Sequence, residues 1–307
     1  MSFMTKIENT QDTNLAMNTG NHNFTVIKNN LITDTEIKIP DYVAIINQNT
    51  NEYLGTVGKG WEPVQPHVLY ELADELIKST NGAINGVFTM YGGSVIGILF
   101  NLAEREYISG DKVELNFLML TSFNGMYGIT GNATTYRIVS DSSCNTSNKV
   151  YNLRHTKNVH NRLEVVKNML KYYQNEIASF DETMTTMVES HMNDNAAVAW
   201  FKSLFPTPNS ERTENILNNQ VNLFVDCLHN GNGSNIVGVR GTCYGAFQAL
   251  TEYINHHRST RIHNDREEDE VRFQAVHFGS GNQLIQKGLH TIGEGFLQFS
   301  EKEFMIE

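Results

Sequence analysis

Apolar positions along this chain change period about halfway. Up to roughly residue 140 they alternate or cluster in short blocks broken by Gly, Asn and Pro, and after Asn158 they recur at helical spacing. YVAIIN, a polar Asn/Thr stretch and YLGTVGKGW predict a hairpin, stopped by Pro63 and Pro66. VLYELADELIKST comes next, with apolar residues at 68, 69, 72, 73, 76 and 77 on one helical face, and Asn81-Gly82 ends it. AINGVFTMYGGSVIGILFNLAE predicts two strands around Gly92-Gly93. VELNFLMLTSFNGMYGITGNATTYRIVS repeats the pattern around Asn124-Gly125, a strong hairpin signal.

Helices dominate the C-terminal half. NVHNRLEVVKNMLKYYQNEIASFDETMTTMVES predicts a long amphipathic helix, and NAAVAWFKSLF a second one halted by Pro206 and Pro208. SERTENILNNQVNLFVDCLHNG predicts a third, capped by Ser210, with Glu214 a turn later and Gly231 at its end. TCYGAFQALTEYINHHRS predicts a fourth, behind the glycine-rich loop NGNGSNIVGVRG. The fold class is therefore α+β: an N-terminal antiparallel β-meander with one packed helix, then a mostly α-helical C-terminal half. The expected divisions are a loosely ordered arm over 1–40 with short strands such as FTVIK, a sheet with its helix over 41–148, and a helical region over 149–307 packed on the sheet as one domain.

Composition narrows the class. With 40% hydrophobic and 19% charged residues in 307, the chain is an ordinary globular protein with material for a sizeable core. No apolar run approaches the roughly 18 residues of a membrane span, and the first residues lack the apolar segment of a secretory signal. The expectation is a protein of the cytoplasm of its host cell, with no membrane partner. Three cysteines without paired spacing predict reduced thiols. A net charge of -11 opposes indiscriminate coating of DNA yet permits a local cationic groove.

Four clusters could carry chemistry. Cys144, with His155 and His160 in the same segment, has the residue types of a nucleophilic thiol, although nothing in the spacing supplies an oriented base. His256, His257, His263 and Asp265 have metal-ligating types, but their spacing fits no standard site and arginines lie between them. No metal and no cofactor is expected. The glycine-rich loop lacks the Lys-Ser/Thr ending of a phosphate-binding P-loop; what remains is a backbone-amide anion site beside Arg240, against a plain helix-entry turn. From Lys149 to Lys171, six cations face one acid, a local net of +5, interleaved with Tyr151, Tyr172 and Tyr173. Cations and aromatic rings together suit a phosphate backbone with stacked bases, against the plainer reading of a solvated helix face.

Several stretches resemble one family. Val57-Gly58, Trp61, Pro63 and Gln65 match its first motif, while Arg137, Cys144, Asn145 and Thr146 match a strand-exit motif loosely. Arg154-His155-Thr156 match a third, and GTCYGAFQALTEYINHH is similar to its late helix. The chain thus resembles the phage/plasmid-like protein family, described as a domain of unknown function, over about residues 50 to 290. One departure is that Ser140 to Ser143 stand before the cysteine, which displaces the thiol relative to the sheet. The resemblance implies phage or plasmid cargo, whose shared tasks are DNA replication, recombination and evasion of host defence.

The resulting expectation is a non-enzymatic protein that binds or anneals single-stranded DNA, possible as a homo-oligomer. Arg137, Arg154, His155, Lys157, Arg162 and Arg240 would meet phosphates, and Tyr151 and Trp61 would stack on bases. Two alternatives stand beside it: an acidic interaction protein that inhibits a host defence protein, and a cysteine-dependent enzyme using Cys144 with His155.

Overall fold

The computed structural model describes residues 4–144, 151–159, 162, 173–260 and 267–303; the side chains of 143, 144, 173–179 and 293–303 are outside that description. Two compact units emerge. The first comprises Met1–Ala103, Asn116–Ala133 and Ser147–Gln174, and the second Glu104–Leu115, Thr134–Thr146 and Asn175–Glu307.

Ten strands are described. They are β1 (Met4–Thr10), β2 (Val26–Ile32), β3 (Lys38–Asn47), β4 (Tyr53–Gly58), β5 (Ala83–Met90), β6 (Val95–Ile108), β7 (Asp111–Ser122), β8 (Ile129–Arg137), β9 (Ser142–Cys144) and β10 (Tyr151–Leu153). The larger sheet is seven-stranded in the order β1-β5-β6-β7-β8-β10, with β9 also on β8; β2, β3 and β4 form a second sheet.

The expected hairpins are present. β3 pairs antiparallel with β4 across a turn closed by Asn47 N–H donating to the Glu52 carbonyl, with Asn51 in the left-handed region. β5 pairs with β6 so that Met90 faces Val95, and Gly92 and Gly93 supply the positive φ angles of 62° and 89° that the reversal needs. At Asn124-Gly125 the Asn124 side chain accepts from Met126 N–H, and Gly125 takes φ 77°.

The first 40 residues carry strands that pair with later parts of the chain. β1 pairs antiparallel with β5 and β2 with β3, so this segment contributes a strand to each sheet. Between them α1 (Thr13–Thr19) is capped by the Asp12 carboxylate. His22 then anchors the segment. Its Nδ1 lies 2.6 Å from the Tyr70 hydroxyl and its Nε2 2.9 Å from Thr89 Oγ1.

Tyr70 belongs to α2 (Pro66–Thr80), which starts at a proline suited to the first turn and stops at left-handed Asn81. Val68, Leu69, Leu72, Ala73 and Leu76 are buried on one face, as their spacing predicts. Gln65, just before it, mimics a strand neighbour: its amide accepts from Val26 N–H at 2.8 Å and donates to the Val26 carbonyl at 2.9 Å.

The second unit is mostly helical. It contains α3 (Tyr173–Glu189) from Asn175 onward, α4 (Asp194–Ser203), α5 (Glu211–Asn230), α6 (Cys243–Glu252), a π-helical turn (Tyr253–His257), α7 (Glu268–Phe278) and α8 (Ser280–Glu303). Ser210 caps α5 as expected, although its reciprocal partner is Thr213 rather than an acid. All ten residues of α6 are buried. Around it Phe201 stacks on Phe224 at 4.3 Å, and Tyr253 meets Phe201 edge-on. The long helix expected from Asn158 is described from Tyr173; residues 160–161 and 163–172 lie outside the described residues, together with Lys149, Glu164, Lys167, Lys171, Tyr172, His263 and Asp265.

Candidate nucleic-acid interface

The motif residues fall into two fastenings and one exposed strip. The first fastening lies in the first unit, where the segment after β4 meets the segment after β10. The Trp61 and His155 rings stack at 4.5 Å with 22° between planes. Glu62 N–H donates to the His155 carbonyl at 3.1 Å, and His155 Nδ1–H donates to the Glu62 carbonyl at 3.1 Å. Because a carbonyl only accepts, this fixes the tautomer and leaves Nε2 to accept from Thr121 Oγ1 at 3.3 Å. Burial, partly offset by the Glu62 bond, lowers the His155 pKa to about 4, so the imidazole is neutral. His155 is therefore a buried fastening rather than a phosphate contact. With both nitrogens engaged it also has none left to take a proton from a thiol.

The second fastening lies in the second unit, where Arg137 ends β8. Only 2% of its side chain is exposed. The guanidinium grips the fully buried Asp111 carboxylate as a fork, Nε to Oδ1 at 2.9 Å and Nη2 to Oδ2 at 2.7 Å. Tyr244, on α6, donates its hydroxyl to the same carboxylate at 3.1 Å. Two further arginine hydrogens go to the glycine-rich loop: Nη1 to the Asn232 carbonyl at 3.1 Å and Nη2 to the Gly233 carbonyl at 3.3 Å.

Gly233 is required there. Its φ is 79°, and a Cβ would stand 2.7 Å from Arg137 Nη2. This stretch of the loop turns carbonyl oxygens toward a buried cation, while Asn232 N–H is taken by Glu252 Oε1 at 3.0 Å. Arg137 is thus corrected from a surface contact to a buried structural cation. Arg240, on the same loop, is exposed but paired with Asp194 at 3.1 Å, which His229 also approaches at 2.8 Å.

Tyr151 is the third correction. It is 4% exposed, and its ring lies over Gly131, where a Cβ would meet it at 2.2 Å. Burial pushes its phenol well above the ordinary range. It packs the sheet, and no base can stack on it in this arrangement.

What remains outside is a short cationic strip. After β10, His155 and Val159 point inward, whereas Arg154, Thr156, Lys157, Asn158 and Arg162 are exposed. Two turns shape this stretch: Val159 N–H donates to the Thr156 carbonyl, and Arg162 N–H to the Asn158 carbonyl. Arg154, Lys157 and Arg162 form no ion pair with a described residue, and no acid lies between Tyr151 and Arg162. Trp61, half-buried against His155, belongs to the same unit.

Sequence reasoning missed Asp111 and Tyr244. A hairpin counted back from Asn124-Gly125 brings the end of β8 beside the start of β7, as the Ile138 N–H to Lys112 carbonyl bond shows, so Asp111 was within reach of a register argument. Tyr244 had no comparable signal. The backbone of Cys144 pairs with Thr135 in β9. Among the described residues, no three His, Cys, Asp or Glu side chains come together as a metal group, and no helix is long and apolar enough to cross a membrane.

Comparison with known proteins adds one match. No curated protein and no solved structure matches the chain. A family described as a domain of unknown function, DUF932, matches residues 53–276, a span that holds both fastenings and the cationic strip.

Both fastenings can be tested by stability. Arg137→Met should destabilise the protein by about 3–5 kcal/mol in urea unfolding, because it leaves Asp111 buried without its cation. Adding Asp111→Leu should restore only part, since the Asn232 and Gly233 carbonyls still lack donors. The pH dependence has the opposite sign to that of a salt-bridged histidine. His22 and His155 are held at about 4 against an ordinary 6.5, so below pH 6.5 the unfolded chain binds protons that the folded chain refuses. Their stabilising contribution is full above 6.5 and declines as pH falls toward 4, by about 1.4 kcal/mol per pH unit for each. His155→Phe should flatten the stability profile between about pH 4.5 and 6 by about one such increment.

The matched span is well over half of the chain, which therefore belongs to the DUF932 family.

Proposed function

We propose that this is a phage- or plasmid-encoded protein that binds single-stranded nucleic acid through Arg154, Lys157 and Arg162, with Trp61 beside them. The observation that supports it is the exposure of three cations without ion pairs among the described residues, on a stretch held from inside by His155 and Val159. Surface cations that are already paired gain little by meeting phosphate. Unpaired ones release counterions and bind. In this reading the sheet, with α2 packed on one face, is the rigid support that keeps the strip in place. The chain's charge of -11 opposes indiscriminate coating of DNA, which fits binding confined to the strip. The setting is replication or recombination in the host cytoplasm, with annealing by an oligomer as the fuller form of the activity.

Salt titration of a fluorescent oligothymidylate tests it. Three phosphate contacts on a single strand should give a slope of log K against log salt of about -2, and Arg154→Ala or Lys157→Ala should each reduce it by about 0.7. Arg137→Lys should leave the slope unchanged in whatever fraction stays folded. Absence of binding at about 50 mM salt would refute the reading.

A further inference from the structure

The second unit contains a cleft that the nucleic-acid reading does not use. Its volume is about 430 Å³. Ser140, Asp141, Asp226, Glu252, His256 and His257 line it, and no lysine or arginine does.

Two of these residues are unusual. Glu252 is 5% exposed, yet its carboxylate accepts one hydrogen bond from a described residue, the Asn232 N–H at Oε1, which leaves Oε2 without one. A carboxylate oxygen so placed can accept a hydrogen bond from a donor that enters the cleft. Ser140 is 1% exposed and its Oγ has no partner, although its carbonyl accepts from His256 Nε2 at 3.0 Å and from Ser142 Oγ at 3.1 Å. A buried hydroxyl on a cleft wall without a partner is a place where a ligand atom can bond. Asp226 adds a carboxylate engaged on one oxygen, which accepts from Asn230 Nδ2 at 2.8 Å.

We propose that this cleft binds a small organic cation with several N–H donors, an ammonium or guanidinium head. Beside the His256, His257 and Asn230 side chains, the lining offers carboxylate, hydroxyl and carbonyl oxygens that accept, with no lysine or arginine among them. An anion is therefore disfavoured. A divalent metal is disfavoured too, because the carboxylates and imidazoles do not converge as ligands among the described residues. Cys227, at the edge of the cleft, takes no part as a nucleophile. Burial, with Glu252 and Asp226 nearby, pushes its thiol up to about 12.

Isothermal titration of the full chain with agmatine, putrescine and a blocked Gly-Arg-Gly peptide tests the site. At least one probe should bind with Kd of about 1 mM or tighter. Glu252→Gln and Asp226→Asn should each weaken it about tenfold or more, and Ser140→Ala about threefold. Glu211→Gln, on the exposed first turn of α5, should leave it unchanged. Asp226 is exposed, so its variant keeps the test valid if Glu252→Gln fails to fold. Preference for agmatine or putrescine identifies a free metabolite cation, and preference for the peptide identifies an arginine side chain of a partner. No heat from any of the three at about 10 mM, equal competition by Mg²⁺, or wild-type affinity in both carboxylate variants would overturn the proposal.

Discussion

The Arg137–Asp111 pair is the interaction on which the second unit's layout depends. A guanidinium with 2% exposure against a carboxylate with none is tolerable because the two are bonded as a fork and further hydrogen bonds surround them. Two carboxylate oxygens and two loop carbonyls accept guanidinium hydrogens, and the Tyr244 hydroxyl donates to the carboxylate. That requirement ties together four stretches distant in sequence: the start of β7, the end of β8, the glycine-rich loop and α6. It also accounts for the glycine at 233, where any side chain would intrude on the guanidinium. Replacing the pair with apolar residues would not be neutral, since the loop carbonyls would lose the donors that satisfy them.

His155 and Trp61 do for the first unit what the arginine does for the second, with a different physical basis. Here the gain is a neutral imidazole stacked on an indole and bonded on both nitrogens. The neighbouring Arg154 turns the other way. Arginine and histidine are adjacent in one motif, yet the first faces water and the second lies within the fold. The polar residues that make these stretches recognisable are thus divided between holding the chain together and facing solvent.

Much of the fold is readable because its signals are local. The Gly92-Gly93 and Asn124-Gly125 reversals, the apolar face of α2 and the Ser210 cap each depend on residues a few positions apart. The N-terminal segment is harder, because β1 finds its partner in β5, about 80 residues away, and its own pattern is too weakly apolar to declare a strand. Burial of Arg137 and Tyr151 is hidden for a related reason. Residue type favours the surface for arginine, and only a paired carboxylate elsewhere in the chain reverses that preference. The cleft around Glu252 is invisible altogether, because its walls come from β8's exit, α5 and the π-helical turn, and no linear motif unites them.

The nucleic-acid reading rests on a narrower footing than the +5 stretch suggests, with Arg154, Lys157, Arg162 and Trp61 in place of eight candidates. Photocrosslinking to a 4-thiothymidine oligonucleotide, with peptide mass mapping of the products, tests that footing most directly. Crosslinks should concentrate on Trp61 and on the peptide from Tyr151 to Arg162, and should fade as salt rises. Crosslinks confined to the 231–241 loop, or none above those of an equally acidic control protein, would contradict it.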